Sequence, residues 1–122
     1  MARSAAAALT VANPLLHILM DTMVASVRSD GPDLSARQLA VFLKVYLEPA
    51  TEQTVRGLAA TLNISKPAIT RALDRLEELD FAKRETDGAD RRSVIARRTP
   101  SGSAYLRTLS GYMAEASKTA KK

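Results

Sequence analysis

The stretch from Thr54 to Leu79, TVRGLAATLNISKPAITRALDRLEEL, constrains the chain more than any other. Val55, Leu58, Ala59 and Leu62 stand at i, i+3, i+4 and i+7, which puts them on one face of a short helix. Asn63 interrupts the pattern, and asparagine tolerates the left-handed backbone that ends a helix, so it can fill the place glycine often takes. Ser65 then offers a cap for a new helix, and Pro67 fits its first turn, where no intrahelical donor is lost. A second stripe follows in Ile69, Ala72, Leu73, Leu76 and Leu79. The reading is two short helices joined by a tight turn, a helix-turn-helix. Ala59 is small where the two helices must cross closely. The expected outward face of the second helix carries Lys66, Ala68, Thr70, Arg71, Asp74 and Arg75. Small and hydroxyl residues near its start, with arginines one and two turns on, suit a helix that enters a major groove. Without the turn chemistry, the same charges would read as an ordinary solvated face.

After Leu79 the period shortens. Phe81–Thr86 and Ser93–Arg98 have the length of strands, and residues 87–92 between them open on Asp-Gly, a hairpin signal. A hairpin directly after the second helix is a wing. Arg91 and Arg92 at its tip are placed for phosphate or minor-groove contact beside a groove-reading helix.

Upstream, residues 1–13 read as a frayed, alanine-rich lead-in, and Pro14 to about Arg28 as a helix. Its apolar residues Leu15, Leu16, Ile18, Leu19, Met20, Met23, Val24 and Val27 wrap most of the circumference, so it needs cover on more than one side. A second copy of the chain is the expected cover. Leu34-Ser-Ala-Arg-Gln38 opens the next helix with a Ser-x-x-Gln capping box. Leu39, Phe42, Leu43 and Tyr46 form its expected buried face, and Glu48-Pro49 stops it. Thr51–Gln53 reads equally as a very short strand or as loop. Downstream, Thr99 caps and Pro100 starts a last helix with the stripe Tyr105, Leu106, Leu109, Tyr112, Met113 and Ala116.

Composition narrows the function classes. The net charge is +5, and the excess is local: residues 54–98 hold ten Lys/Arg against seven Asp/Glu, and 99–122 hold four against one. A polyanionic partner fits that distribution. The absence of cysteine excludes a disulfide framework and a thiolate metal site, and His17 alone cannot build a histidine metal cluster. His17 reads as a core or interface residue. Two Phe, three Tyr and no Trp argue against a base-stacking platform for single strands. Arg3 and the alanines after it imitate a signal peptide only loosely, and no apolar run approaches a membrane span, so a soluble, cytoplasmic protein is expected. With no nucleophile–base pair and no phosphate-binding glycine loop, neither a catalytic residue nor a cofactor is expected. Asp74, Glu77 and Glu78 lie among arginines on a solvated helix flank.

In this order (helix, helix, helix-turn-helix, wing, helix) the chain resembles the MarR family of winged-helix regulators over about Leu34 to Leu109. The likeness rests on Leu34-Ser-Ala-Arg-Gln-Leu, Val55-Arg-Gly-Leu-Ala, Ile64-Ser-Lys-Pro-Ala-Ile-Thr-Arg-Ala-Leu-Asp-Arg-Leu-Glu, Asp87-Gly-Ala-Asp-Arg-Arg92 and Thr99-Pro-Ser-Gly102. The resemblance implies a mainly α fold with a small β-hairpin, dimerising through its N- and C-terminal helices. Ser65, Pro67, Ala68, Thr70 and Arg71 match the family's groove-facing positions, and Asp90 with Arg91 and Arg92 match its wing motif. Ala89 stands where the family usually has an arginine, and Arg98 where it usually has leucine. Only about two dozen residues follow Arg98, enough for one helix where the family has two, so a reduced or different dimer interface is expected.

The expectation is one winged-helix domain over 1–122, with 54–98 as the helix-turn-helix and wing and 14–28 and 100–118 as dimerisation helices. Its function would be that of a homodimeric, sequence-specific regulator on a roughly palindromic site in double-stranded DNA. Ser65, Lys66, Pro67, Ala68, Thr70, Arg71, Arg75, Asp90, Arg91 and Arg92 are the expected DNA-binding residues, and Leu15, Leu19, Met23, Tyr105, Leu109, Tyr112 and Met113 the expected dimer contacts. The rival is a winged helix that docks an acidic protein. Whether a small effector binds stays open.

Overall fold

The computed structural model describes residues 13–48, 52–90 and 92–120. Within them run α1 (Pro14–Arg28), α2 (Ala36–Leu47), β1 (Gln53–Thr54), α3 (Val55–Leu62), α4 (Lys66–Glu78), β2 (Ala82–Thr86), β3 (Val94–Arg98) and α5 (Pro100–Ala120). They divide into two compact units: Leu34–Leu106 is one, and Met1–Asp33 with Arg107–Lys122 is the other.

The larger unit carries the helix-turn-helix. Thr54 caps α3 by accepting from the Gly57 amide at 2.9 Å. Asn63 ends that helix with φ 54°, the left-handed conformation expected of it. The Ile64 amide donates to the Ala59 carbonyl at 3.2 Å and the Asn63 amide to Ala60 at 3.3 Å, so both orphan carbonyls are satisfied. The second helix of this pair, α4, ends in the same way, without glycine. Asp80 takes φ 59°, and the Phe81 amide reaches the Leu76 carbonyl at 2.8 Å. Aspartate enters this region more readily than most side chains, and here its carboxylate also accepts from the Ser101 hydroxyl at 3.1 Å, across to the start of α5.

The wing is part of a three-stranded antiparallel sheet in the order β1-β3-β2. Ala82 pairs with Arg98 and Thr86 with Val94, while Gln53 and Thr54 of β1 pair with Ala96 and Ile95. The residues before α3 therefore form a strand at Gln53–Thr54; Thr51 lies outside the described residues.

The core joins α2, α3, α4 and the base of the wing. Phe42, Leu58, Ile69, Leu73, Leu76 and Val41 are its largest fully buried side chains. On α2 the fully buried face is Val41, Phe42, Val45 and Tyr46, with Leu39 and Leu43 packed at the margin. The inward face is thus turned relative to the sequence expectation, because neighbours on both sides of Phe42 and Tyr46 compete for cover. Aromatic rings fill the middle of this core. Phe42 stacks on Tyr46 with centroids 4.4 Å apart, and Phe81 stacks on Tyr105 at 4.5 Å. Tyr105, expected among the dimer contacts, packs its half-buried ring against its own chain's core.

The buried Tyr46 hydroxyl ties this core together. It donates to the Phe81 carbonyl at 2.6 Å and accepts from the Thr99 amide at 3.0 Å. Thr99 in turn caps α5 through the Gly102 amide at 2.9 Å, as the sequence implied. A side chain at Gly102 would overlap the Tyr46 hydroxyl and the Phe81 carbonyl. Arg98 covers this knot from outside. Its Nε donates to the Val45 carbonyl at 2.9 Å, and its guanidinium lies 5.8 Å from the Tyr46 ring centre.

In the smaller unit, α1 begins on an Asn13 cap, and its buried residues are Thr22 and Ser26. Thr22 satisfies its hydroxyl on the Ile18 carbonyl at 2.6 Å. The apolar residues expected to be covered are left outside: Leu15 is 72% exposed, Leu19 57% and Val27 65%. Leu109, expected at a dimer surface, is instead buried within the single chain, whereas Met113 is exposed. No helix among the described residues is long and apolar enough to cross a membrane.

Tyr46→Phe should lower unfolding free energy by about 1–3 kcal/mol, because it strands a buried amide and a buried carbonyl. Gly102→Ala should cost at least as much by overpacking, and the double variant less than the sum, since one change removes the atom the other strikes. Denaturant unfolding of the four proteins checks this; strict additivity would mean the two residues do not share one site.

Candidate nucleic-acid interface

The outward side of α4 is built from its first turn. Ser65 caps it by accepting from the Ala68 amide at 3.2 Å, which leaves Lys66, Pro67, Thr70 and Arg71 exposed. Ala68 is not among them. At 7% exposure it is buried, correcting its expected outward place. The helix phase explains the difference: Ala68 precedes Ile69 and lies one turn before Ala72, and all three face inward. Its small side chain serves close packing.

Charge pairing sorts the basic residues of this unit into two groups. Arg84 on β2 is held by α4: it donates to Glu77 Oε1 from its amide at 2.8 Å and from Nε at 3.1 Å, and to Asp74 Oδ1 at 2.6 Å. The hydrogen bonds from Arg84 hold the Glu77 carboxyl below the usual carboxylate range, and those to Glu77 and Asp74 raise the guanidinium further. Arg97 on β3 bridges Glu85 of β2 at 2.9 Å and Glu52, just before β1, at 3.1 Å. Arg75, expected on the reading face, pairs with Glu78 at 3.2 Å. Its charge is partly neutralised within α4.

The second group has no acidic partner among the described residues: Arg37, Arg56, Lys66, Arg71, Lys83, Arg92 and Arg98, the last bonded instead to the Val45 carbonyl. Arg56, Lys66 and Arg92 line one cleft of about 450 Å³ between the start of the helix-turn-helix and the wing, with Thr70 on its wall. Arg56 was not singled out by sequence, because it sits in the first turn of α3 and only the fold turns that end toward the wing. Arg91 lies outside the described residues.

Asp90 has a different part from the basic residues around it. Its Oδ1 accepts from the Arg92 amide at 3.0 Å and its carbonyl from the Ser93 amide at 2.9 Å. Asp87 does the same for Ala89 at 3.0 Å, and its own amide closes the loop on Ser93 at 2.8 Å. Two aspartates thus shape the wing tip through their own backbone bonds.

A capped helix-turn-helix, a hairpin tied to its second helix by an arginine, and a short third strand before the first helix define a winged-helix module. The model of the MarR family matches residues 33–93, and the chain belongs to that family. A solved structure of MarR is 29% identical with a TM-score of 0.60, the match covering 68% of this chain and 59% of that one. The transcriptional regulator BldR from Sulfolobus solfataricus is 28% identical with a TM-score of 0.57, covering 67% of this chain and 57% of that one. A single-residue mutant of MepR from S. aureus, solved bound to an oligodeoxyribonucleotide, is 21% identical with a TM-score of 0.64, covering 70% and 62%; at that identity the likeness is one of fold. Each of these matches spans less than two thirds of the known chain. No curated protein sequence matches the chain.

The Arg84–Glu77 pair has a pH signature. A carboxyl whose value is depressed on folding adds stability above its unfolded value, lost as pH falls through the folded one. Wild type should therefore exceed Glu77→Gln in stability at neutral pH, and the gap should close as pH drops below the ordinary 4.5. Thermal unfolding across acid pH reads this directly. A gap of equal size throughout would show that Glu77 does not act through its charge.

Proposed function

We propose that the chain is a sequence-specific regulator that binds double-stranded DNA as a homodimer, each protomer reading half of a roughly palindromic site. The observation that carries this is a cluster of cations around the exposed start of α4 that have no acidic partner among the described residues. Arg56, Lys66 and Arg92 border one cleft, while the intervening Arg84 is neutralised by carboxylates that hold the wing to the helix. A helix in the major groove with basic residues toward the wing suits phosphates flanking the bases it reads. Within that arrangement Ser65, Lys66, Pro67, Thr70, Arg71 and Arg92 are the contact residues, and Arg91, adjacent to Arg92 in the sequence, is proposed with them. Asp90 shapes the turn that presents them. Arg71 is the reading residue: its guanidinium offers two parallel hydrogen bonds to a guanine edge, which lysine does not reproduce.

Two copies are needed because α1 exposes an apolar stripe. Leu16 and Met20 lie on it at 43% and 52% exposure, with Val24 at 47% and Met113 of α5 at 48%. A soluble monomer rarely shows a contiguous apolar patch above a few hundred Å². Leu15, Leu19, Met23, Tyr112 and Met113 are the contacts, joined by Met20 and Val24. A cytoplasmic location follows from the proposed role.

Arg71→Ala should cost about 1–3 kcal/mol on the preferred site and relax selectivity at one base position per half-site. Arg91→Ala and Arg92→Ala should instead weaken all duplexes alike and flatten the salt slope by about one unit for each lost phosphate contact. Selection on random duplexes, followed by salt titration, separates the two behaviours. An unchanged preference in Arg71→Ala would assign the reading to another residue, and no salt-dependent duplex binding by the wild type would favour an acidic protein partner.

Light scattering at tens of micromolar should find a dimer, and Leu19→Glu with Met20→Glu should yield monomers. A monomeric wild type would remove the proposed two-fold reading.

A further inference from the structure

The basic surface around α4 has a second side. Opposite the wing cleft, a shallow groove of about 280 Å³ is lined by Ser35, Arg37 and Gln38 from the start of α2 and by Ala68, Arg71 and Ala72 from α4. No carboxylate lines it, and neither arginine has an ion partner among the described residues. Two guanidinium groups bordering one groove repel each other unless an anion lies between them. The floor is made of alanine, so the groove is open to a group the size of a phosphate.

The turn that presents Arg37 is fixed. Ser35 accepts from the Gln38 amide at 3.2 Å while Gln38 Oε1 accepts from the Ser35 amide at 2.9 Å, a closed capping box around the arginine. Leu34, just before it, is buried in the core at 8% exposure, which anchors the turn against the helix-turn-helix. A long cation on an anchored turn loses less freedom on binding than one on a loose loop.

We propose that this groove holds a backbone phosphate of the bound duplex, with Arg37 as its principal donor, so that α4 is flanked by phosphate contacts on both sides. The proposal rests on the DNA-binding reading above and adds a contact outside the helix-turn-helix and wing. The wing cleft engages one strand through Arg56, Lys66 and Arg92. The Arg37 groove engages the strand on the other side of the major groove. Arg71 stands on its wall with five donors, so one edge of its guanidinium can face this phosphate while another faces a base. Fixing both strands sets how deep and at what angle α4 enters, which is the role phosphate contacts play in recognition.

The test uses the full chain and measures binding to a selected duplex and to a random one across salt concentrations. Arg37→Gln should weaken both by roughly five- to tenfold at 0.1 M salt and reduce the salt slope by about 0.9, the value for one released counterion. Sequence preference should be unchanged, and Arg37→Lys should recover most of the loss. Duplexes with single methylphosphonate substitutions, which remove one phosphate charge at a time, should then locate the contact. Wild type should lose affinity at one flanking phosphate per half-site where Arg37→Gln loses none. If Arg37→Gln keeps the wild-type affinity and slope while Arg92→Ala lowers both, the duplex does not reach this groove and the proposal fails alone. If the wild type shows no salt-dependent duplex binding, the DNA-binding reading fails and this one with it.

Discussion

The Tyr46 hydroxyl, near the end of α2, is the point on which the larger unit depends. It is bonded to the carbonyl of Phe81, just after α4, and to the amide that precedes α5. A buried amide and carbonyl cost about 1–3 kcal/mol if left alone, so one phenol satisfies two groups that no helix or strand can reach. The same atom excludes a side chain at Gly102, and Arg98 closes over the ring. The Thr99 hydroxyl adds a bond to the Asp80 carbonyl at 2.5 Å. The end of α4, the start of the wing and the start of α5 are therefore held by one small polar cluster inside an aromatic core.

Around that fixed base, charge decides what is rigid and what is available. Carboxylates on α4 and the sheet take up Arg84, Arg97 and Arg75, while Arg37, Arg56, Lys66, Arg71 and Arg92 are left without acidic partners among the described residues. Surface pairs of this kind add little stability each. Arg84 matters through geometry: it bonds Glu77 with both backbone and side chain, so strand β2 and helix α4 share a register as well as a contact. The unpaired set is what a polyanion would meet.

The terminal helices follow a different physical logic. Thr22 and Ser26 are buried in α1, whereas its leucines and valines face outward. Small hydroxyl residues allow close helix approach and bond their own backbone, so they suit the inside of a thin unit. An outward leucine face has no such explanation within one chain.

Local chemistry alone determined much of this protein. The Asn63 turn, the Ser65 and Thr99 caps, the Ser35–Gln38 box and the span of α1 all follow from short-range rules, because each is satisfied by atoms within a few residues. Asp80, Ala68 and Tyr105 were not legible in that way. Asp80 takes glycine's conformation in a segment without glycine, Ala68 depends on the exact phase of α4 against α2, and Tyr105 had two possible surfaces to cover. The pairing of charges was equally hidden, since Arg84 meets Asp74 ten residues away and Arg97 meets Glu52 forty-five residues away. Periodicity tells which side of a helix is apolar, but it carries no information about which element will lie against that side. Only the tertiary structure brings distant backbone together, and that decided which of the many arginines hold the wing in place and which, among the described residues, stay without an acidic partner.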